Sequence, residues 1–371
     1  MVALSGGVDS AVMALLLLNE NYDLRAVTMS LYEEKFDLPP SASCFSSDEN
    51  EKILEVVNFC RQYEIPHSTV DLSREYTEVV LKNFVNEYHS GRTPNPCILC
   101  NQFVKLGALF EKSCNILGDF DCFCTGHYAK IYFPDKNFLL KSGFSSGEAS
   151  ELEEEKIPMI KKARDLTKDQ SYFLYRLALP IRKKLYFPLG DMTKADVRAF
   201  AAKNSLSMAE KKDSQDFIPM EFLPKIFSFF DKKCPEGDFV SPEGIVLGKH
   251  KGICNYTIGQ RRGLGISWKS PLYVEKIIPG ENKIVVAEKS FLAKKFLMAS
   301  DWFWPTGFHP KNEFMADVKI RAASNPVLAK VIPVSSNTCR IEFTDTVYGI
   351  APGQSAVAYI DDVIVGGGII E

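Results

Sequence analysis

Val2-Ala3-Leu4-Ser5-Gly6-Gly7-Val8-Asp9-Ser10, continuing into the apolar run Ala11 to Leu18, decides the fold of this chain. A short aliphatic run enters a loop with two glycines and leaves it with helical spacing, so the unit reads strand, loop, helix. The glycines let backbone amides approach an anion closely, and the helix N-terminus adds the positive end of its dipole. Ser5 and Ser10 can donate hydroxyl hydrogen bonds to phosphate oxygens. Asp9 repels a bare phosphate, so its expected task is to hold a magnesium ion that bridges phosphates. The loop lacks the Gly-Lys-Ser/Thr ending of a Walker-type loop, which argues against γ-phosphate transfer.

Working outward, Val2–Leu4, Arg25–Met29, His67–Val70 and Cys122–Cys124 read as strands, and Ser10–Asn19, Glu49–Tyr63 and Glu75–Tyr88 have helical spacing. That alternation predicts an α/β fold, a parallel sheet covered by helices, with the loops after the strands along one edge. From about Asn137 to Pro158 the pattern lapses into a Gly/Ser/Glu-rich stretch, read as an exposed insertion with a solvated acidic face. After Gln215 short alternating runs, among them Lys283–Val286, Met315–Ile320, Arg340–Phe343 and Val357–Ile370, are separated by Gly and Pro turns. They predict antiparallel β structure ending in a small barrel. The expected division is a catalytic domain over 1–215, a small connecting domain over 216–285 centred on Gly248 to Ile266, and a C-terminal β-barrel over 286–371.

A chain of 371 residues is long enough for two or three domains, and 46% hydrophobic with 25% charged residues is ordinary for a globular protein. The net charge of -3 gives no global nucleic-acid signal, so an RNA site has to be a local basic surface. No stretch reaches the roughly 18 apolar residues of a membrane helix, and the first strand begins almost at Met1, leaving no room for a signal peptide. The expectation is a cytoplasmic protein with no membrane partner. In that setting the ten cysteines read as thiols, catalytic groups or metal ligands rather than as a disulfide framework. Cys60 and Cys114 fall in helix-like patterns and fit small buried hydrophobes.

Thr93-Pro94-Asn95-Pro96-Cys97-Ile98-Leu99-Cys100-Asn101 is the second constellation. Its Cys-x-x-Cys brings two sulfurs together at the start of an expected helix, Gln102 to Cys114, where the helix N-terminus is expected to lower thiol pKa and populate the thiolate nucleophile. A structural zinc half-site or two buried thiols are the alternatives. Zinc would need a second pair, and Cys122/Cys124 inside a strand would make a cramped one.

With these blocks on the page, the chain resembles the tRNA-specific 2-thiouridylases, of the N-type ATP pyrophosphatase superfamily. The resemblance runs almost end to end: Ser5–Ser10, Gly91–Pro96, Leu99–Asn101, Thr125-Gly-His-Tyr128, Lys168–Leu174, Lys212–Asp216, Lys251-Gly252, Tyr256–Gly265, Pro352–Ala356 and Gly366–Ile370. It implies ATP binding by Ala3, Leu4, Ser5, Gly6, Gly7, Val8, Asp9 and Ser10 with Met29 and Gly126. It assigns Cys100 as the nucleophile and places Asn95, Pro96 and Cys97 beside the target uridine. It puts His127, Lys168, Asp169, Gln170, Arg321 and Gln354 in contact with tRNA. The implied reaction is adenylylation of the C2 oxygen of the wobble uridine of lysine, glutamate and glutamine tRNAs. Sulfur transfer from a carrier protein's persulfide would follow.

Two departures from the family pattern matter. Many members have aspartate at the position of Cys97, and many carry a second essential cysteine just after the Ser214-Gln215-Asp216 block, where this chain reads Phe217-Ile218-Pro219. Either Cys97 serves as the disulfide partner of Cys100, or Cys44, Cys97 and Cys100 ligate an iron-sulfur cluster, as in similar N-type tRNA thiolases. Two basic clusters, Lys161-Lys162-Arg164-Lys168 and Lys249-His250-Lys251 with Arg261-Arg262, are the expected phosphate-tracking surfaces. The enzyme rival is an amide-forming synthetase with the same ATP loop and no need for Cys100. The rival of another class is a tRNA-binding or iron-sulfur carrier protein without catalysis.

Overall fold

The computed structural model describes residues 1–41, 43–206 and 217–371, so the block 212–216 lies outside the described residues. The first seven strands are β1 (Val2–Ala3), β2 (Ala26–Ser30), β3 (His67–Asp71), β4 (Phe123–Thr125), β5 (Ala129–Tyr132), β6 (Met159–Lys162) and β7 (Leu185–Tyr186). Five of them form a parallel sheet in the order β3-β2-β1-β4-β7. The chain runs one way from β1 to β2 and β3, then returns to place β4 on the other side. The crevice outside the carboxyl ends of β1 and β4 is therefore the switch point where such sheets bind ligands.

Helix α1 (Val8–Asn19) fills the space behind that crevice. Val8, Ala11, Val12, Met13, Ala14, Leu15 and Leu17 are all buried, as a helix that is apolar nearly all round requires. Its other flank is covered by the helix Lys194–Lys203, which opens with a capping box of Thr193 and Asp196.

The thiol segment differs from the sequence expectation. Its helical stretch starts at Pro96 rather than at Gln102, so both cysteines lie inside it, with Pro96 at the first position where its missing N–H costs nothing. From Cys100 to Ala108 the turns widen to the π type before ordinary helix resumes over Leu109–Leu117. The stretch 137–158 is also not a bare insertion. Helices Lys136–Lys141 and Ser146–Glu154 close over a core of their own made by Leu139, Phe144, Ala149, Leu152 and Ile157. The acidic run still presents the solvated face that composition suggested, with Glu151 and Glu153 to Lys156 exposed.

The middle region is a four-stranded sheet of β8 (Gly237–Val240), β9 (Val246–His250), β10 (Leu272–Ile278) and β11 (Lys283–Glu288), in the order β10-β11-β8-β9. The run Lys283–Val286 thus belongs here, with β11 parallel to β8, and not to the barrel. Cys234 and Cys254 are joined by a disulfide, against the expectation that every cysteine is a thiol, a catalytic group or a metal ligand. The chain doubles back through β8 and β9, and the turn at Gly252 lies against the backbone of Cys234.

The last six strands are β12 (Ala293–Phe303), β13 (Phe314–Lys319), β14 (Val327–Ser335), β15 (Thr338–Tyr348), β16 (Ser355–Ile360) and β17 (Val363–Ile370). They pair β12-β15-β14-β13-β16-β17, and β17 pairs again with β12, closing an antiparallel barrel. The hairpin β5–β6 extends the barrel sheet, because β6 pairs with β17 at Lys161 and Val363.

Candidate functional site

The loop after β1 is built to present backbone donors. Gly6 takes φ +75, and a Cβ there would lie 3.2 Å from the carbonyl oxygen of Lys52 in helix α2 (Glu49–Gln62), so side chains are excluded on both conformational and steric grounds. Gly7 stands at the N-cap of α1 without any side-chain cap, which leaves the first helical N–H groups for a ligand. The Ser10 hydroxyl donates to the Gly7 carbonyl at 2.9 Å and accepts the Ser5 N–H at 3.2 Å, with the Ser5 hydroxyl 3.3 Å away. The two serines therefore brace the loop as well as lining it. Gly126, just beyond β4, faces the same loop, since a Cβ on it would sit 3.0 Å from the Ser10 nitrogen. Val2, Ala3 and Leu4 fix the level of the loop through β1, and Met29 lies near the carboxyl end of β2.

Asp9 is held from two sides. The Lys194 ammonium lies 2.8 Å from each of its carboxylate oxygens, and the Tyr128 hydroxyl donates to Oδ1 at 2.8 Å. Lys194 is only 9% exposed. Nothing in the sequence singles it out, one basic residue among 44 with no local motif. An ammonium buried beside a phosphate loop, paired with the carboxylate expected to carry magnesium, is placed to contact a polyphosphate. Asp9 fits a magnesium ligand as the carboxylate at the mouth of this loop.

The thiol pocket adjoins this crevice through a chain of neighbours. His127 follows Gly126 and bonds Thr125 Oγ1 through Nδ1 at 2.8 Å. Burial, and then the nearby Lys105 ammonium, push His127 down to about 3. The Cys100, Cys44 and Cys97 thiols in turn act on Lys105. Lys105, Cys97 and His127 are deeply surrounded by protein yet retain solvent-accessible surface, so they line a cleft rather than packed core. Asn95, Pro96 and Cys97 are half-buried at its rim, and Cys100 lies behind them at 6% exposure.

Electrostatics here overturn one expectation. Burial outweighs the helix N-terminus and pushes the Cys100 thiol up to about 12, with Lys105 only partly opposing it. Cys97 is pushed up to about 11 by burial and then by Cys44. Both rest as neutral thiols, so activation has to come with substrate. Among the described residues no group of three or more His, Cys, Asp and Glu side chains converges on a metal site. Cys44, Cys97 and Cys100 are neighbours, but among the described residues their sulfurs do not converge on one metal position.

Most of the residues expected to touch tRNA are engaged inside the protein. The Gln170 side chain accepts the Tyr128 N–H at 2.9 Å, and Asp169 accepts from Ala163 N and from the Ser171 hydroxyl. Arg321 donates to the carbonyls of Ile258 and Gly349, tying the middle region to the barrel. Gln354 spends both N–H donors of its amide on the carbonyls of Thr93 and Pro94, at 3.2 and 3.0 Å. Thr93 N also donates to Pro352 O at 2.8 Å, so a barrel turn grips the loop that carries the thiols. Lys168 remains half-exposed. His250 is 1% exposed and bonded to the Asn282 carbonyl, which removes it from the second basic cluster, whereas Arg261 and Arg262 are exposed.

Three family models cover the chain: a tRNA methyl transferase HUP domain over residues 1–221, a tRNA methyl transferase PRC-barrel domain over 226–288, and an aminomethyltransferase β-barrel domain over 294–370. A relative from Endomicrobium trichonymphae named tRNA-specific 2-thiouridylase MnmA is 40% identical, with 100% of this chain and 98% of the relative covered. One of the same name from Clostridium tetani is 36% identical, covering 100% and 96%. Among solved structures, a U34-tRNA thiolase, NcsA, from Methanococcus maripaludis with its 4Fe-4S cluster is 20% identical at a TM-score of 0.33, covering 62% of this chain and 63% of its own. With full-length identity at this level and a domain model spanning the whole nucleotide-binding unit, the chain belongs to the tRNA-specific 2-thiouridylase family.

Proposed function

We propose that this protein is an ATP-dependent tRNA sulfurtransferase that converts the wobble uridine of lysine, glutamate and glutamine tRNAs to 2-thiouridine. The observation that carries the reading is the adjacency of the phosphate loop and the thiol pocket across Gly126, His127 and Lys105. ATP would lie on Ser5 to Ser10, with Ala3, Leu4, Met29 and Gly126 around it. Magnesium would be held by Asp9, where it would neutralise phosphate charge. Lys194 would then share its ammonium between Asp9 and the phosphates.

The uridine base has to leave its stack to enter the cleft beside Asn95, Pro96 and Cys97. Its C2 oxygen attacks the α-phosphorus of ATP, and pyrophosphate leaves. The terminal sulfur of a Cys100 persulfide, loaded by a persulfide-carrying protein, then attacks C2, and AMP departs with the former oxygen. A second thiol attacks the Cys100 sulfur, which closes a disulfide and releases the terminal sulfur on the base as 2-thiouridine. An external dithiol resets the pair. Cys97 is the second thiol in this reading, because it shares the first helical turn with Cys100 and keeps accessible surface. Lys168 and the exposed Arg261 and Arg262 would meet tRNA phosphates, with His127, Asp169, Gln170, Arg321 and Gln354 shaping the surface around them. The reaction's substrates and the lack, among the described residues, of any helix able to cross a membrane fit a cytoplasmic enzyme.

The test uses the full chain with tRNA transcript, ATP and a persulfide donor, following pyrophosphate and 2-thiouridine separately. Cys100→Ala should keep pyrophosphate release in the first turnover and lose thiolation by about a thousandfold or more. Full turnover by that variant would favour an amide-forming synthetase instead. Iron and sulfide in anaerobically purified protein would replace Cys97 with the cluster route through Cys44, Cys97 and Cys100.

A further inference from the structure

Among the described residues Tyr76 and Lys105 are two donors without an oxygen or nitrogen acceptor, and both border the three thiols. Tyr76 is 0% exposed, and its buried hydroxyl has no oxygen or nitrogen partner. After burial itself, the groups that act on it are sulfurs, Cys44 first and then Cys100 and Cys97. A tyrosine hydroxyl in a core ordinarily finds an acceptor, because leaving it without one costs stability. The ring itself is firmly placed, stacked on Phe45 at 5.3 Å between centroids and 6.3 Å from Phe217, whose carbonyl oxygen is 3.9 Å from the Cys44 sulfur.

Lys105 reaches the same place because of the wide turns between Cys100 and Ala108. In an α-helix a residue five positions on points about 140° away, whereas in a π turn it returns close to the same face. The Gln102-to-Gly107 step shows the geometry, since a Cβ on Gly107 would come 2.8 Å from the Gln102 carbonyl oxygen. Among the described residues no carboxylate pairs with Lys105, and the thiols of Cys100, Cys44 and Cys97 are the groups that raise its pKa against the effect of burial. The segment Tyr76–Leu81 packs directly on Cys100–Ala108, so the two residues stand on neighbouring segments beside the same three thiols.

We propose that the Tyr76 hydroxyl and the Lys105 ammonium bind a sulfur anion, either free hydrosulfide or the terminal sulfur of a persulfide on Cys97 or Cys100. Walls of thiols and aromatic rings suit a large, weakly hydrated sulfur anion, and two donors are too few to replace the water around a phosphate. The exposed Cys44 marks the entry side. The inference rests on the thiolation reading and adds to it the atoms that hold the transferred sulfur.

The test is Tyr76→Phe, Lys105→Gln and Lys105→Arg in the full chain. Sodium hydrosulfide is titrated as donor in one arm. In the other, polysulfide-treated protein is gel-filtered and its persulfide followed by cyanolysis. In the arm that matches the true source, Tyr76→Phe and Lys105→Gln should raise the half-saturating hydrosulfide, or shorten the persulfide lifetime, by about tenfold, the worth of one charge-assisted hydrogen bond. Pyrophosphate release should not change in Tyr76→Phe, and Lys105→Arg should recover most of what Lys105→Gln loses. Tyr76→Phe should also melt at or above the wild-type temperature, because it removes an unsatisfied hydroxyl while keeping the ring. Wild-type behaviour of both variants in both arms, or a Tyr76→Phe protein that melts well below wild type, overturns the cradle. A wild-type protein that thiolates from neither source overturns the thiolation reading itself.

Discussion

The phosphate loop and the thiol pocket are neighbours with opposite construction. The loop is one continuous run, Ser5 to Ser10, whose conformation follows from its own glycines and the helix it starts. The pocket draws Cys44, Tyr76, the stretch carrying Cys97, Cys100 and Lys105, and His127 from four separate segments, and a barrel turn more than 250 residues away grips its rim. Anion binding needs only oriented amides, which a short loop supplies. Controlled sulfur chemistry needs a dry space with a few placed donors, which only the assembled fold can enclose.

The comparison breaks most sharply at Lys194, where the loop depends on a distant residue. Lys194→Ala leaves Asp9, among the described residues, with the Tyr128 hydroxyl and removes a cation from the phosphate site. Pyrophosphate release should fall by about a hundredfold, while the rate of Cys97 alkylation by iodoacetamide stays at the wild-type value. A parallel fall in both would mean that the two halves are not separable.

Gln354→Ala sharpens the other half. Loss of the two bonds to Thr93 and Pro94 should lower kcat for thiolation by about tenfold through misplaced thiols, with KM for ATP and tRNA within about twofold of wild type. A raised KM for tRNA at unchanged kcat would return Gln354 to direct RNA contact.

The smallest effect is on stability. His127 is held at about 3 against its ordinary 6.5, so between those values the unfolded chain binds a proton that the folded chain does not. Stability should therefore fall as pH drops from 6.5 toward 3, and above 6.5, where both states are neutral, His127 contributes nothing to the slope. His67 and His250 are lowered too, so the measurement is the difference between wild type and His127→Asn in urea midpoints at pH 7 and 5. His127→Asn should flatten the dependence, and equal slopes would place the sensitivity at the other two histidines.

What could be read in the sequence follows the same division. The strand-loop-helix unit, the parallel alternation and the barrel at the end were legible because periodicity and turn residues are local. Lys194 was not, because nothing around it distinguishes it until the helix Lys194–Lys203 docks against α1. Tyr76 is one aromatic within the helical spacing of Glu75–Tyr88, and nothing local marks it, since an orphaned hydroxyl is a property of its surroundings. The cysteine pair was found, but its acidity was misjudged, because a helix N-terminus is visible in sequence and burial is not. Gln354 and Arg321 were located through resemblance, which gives a position without naming the carbonyls that occupy the side chain.

The seam between β6 and β17 has a mechanical consequence. Lys162 N donates to the Asp362 carbonyl at 2.9 Å, and its ammonium pairs with the Asp362 carboxylate at 2.9 Å. The same hairpin runs back through β5 to Tyr128, whose hydroxyl rests on Asp9. The barrel is therefore joined to the carboxylate at the phosphate loop by one continuous path of paired strands and hydrogen bonds, so the two ends of the molecule share a single scaffold.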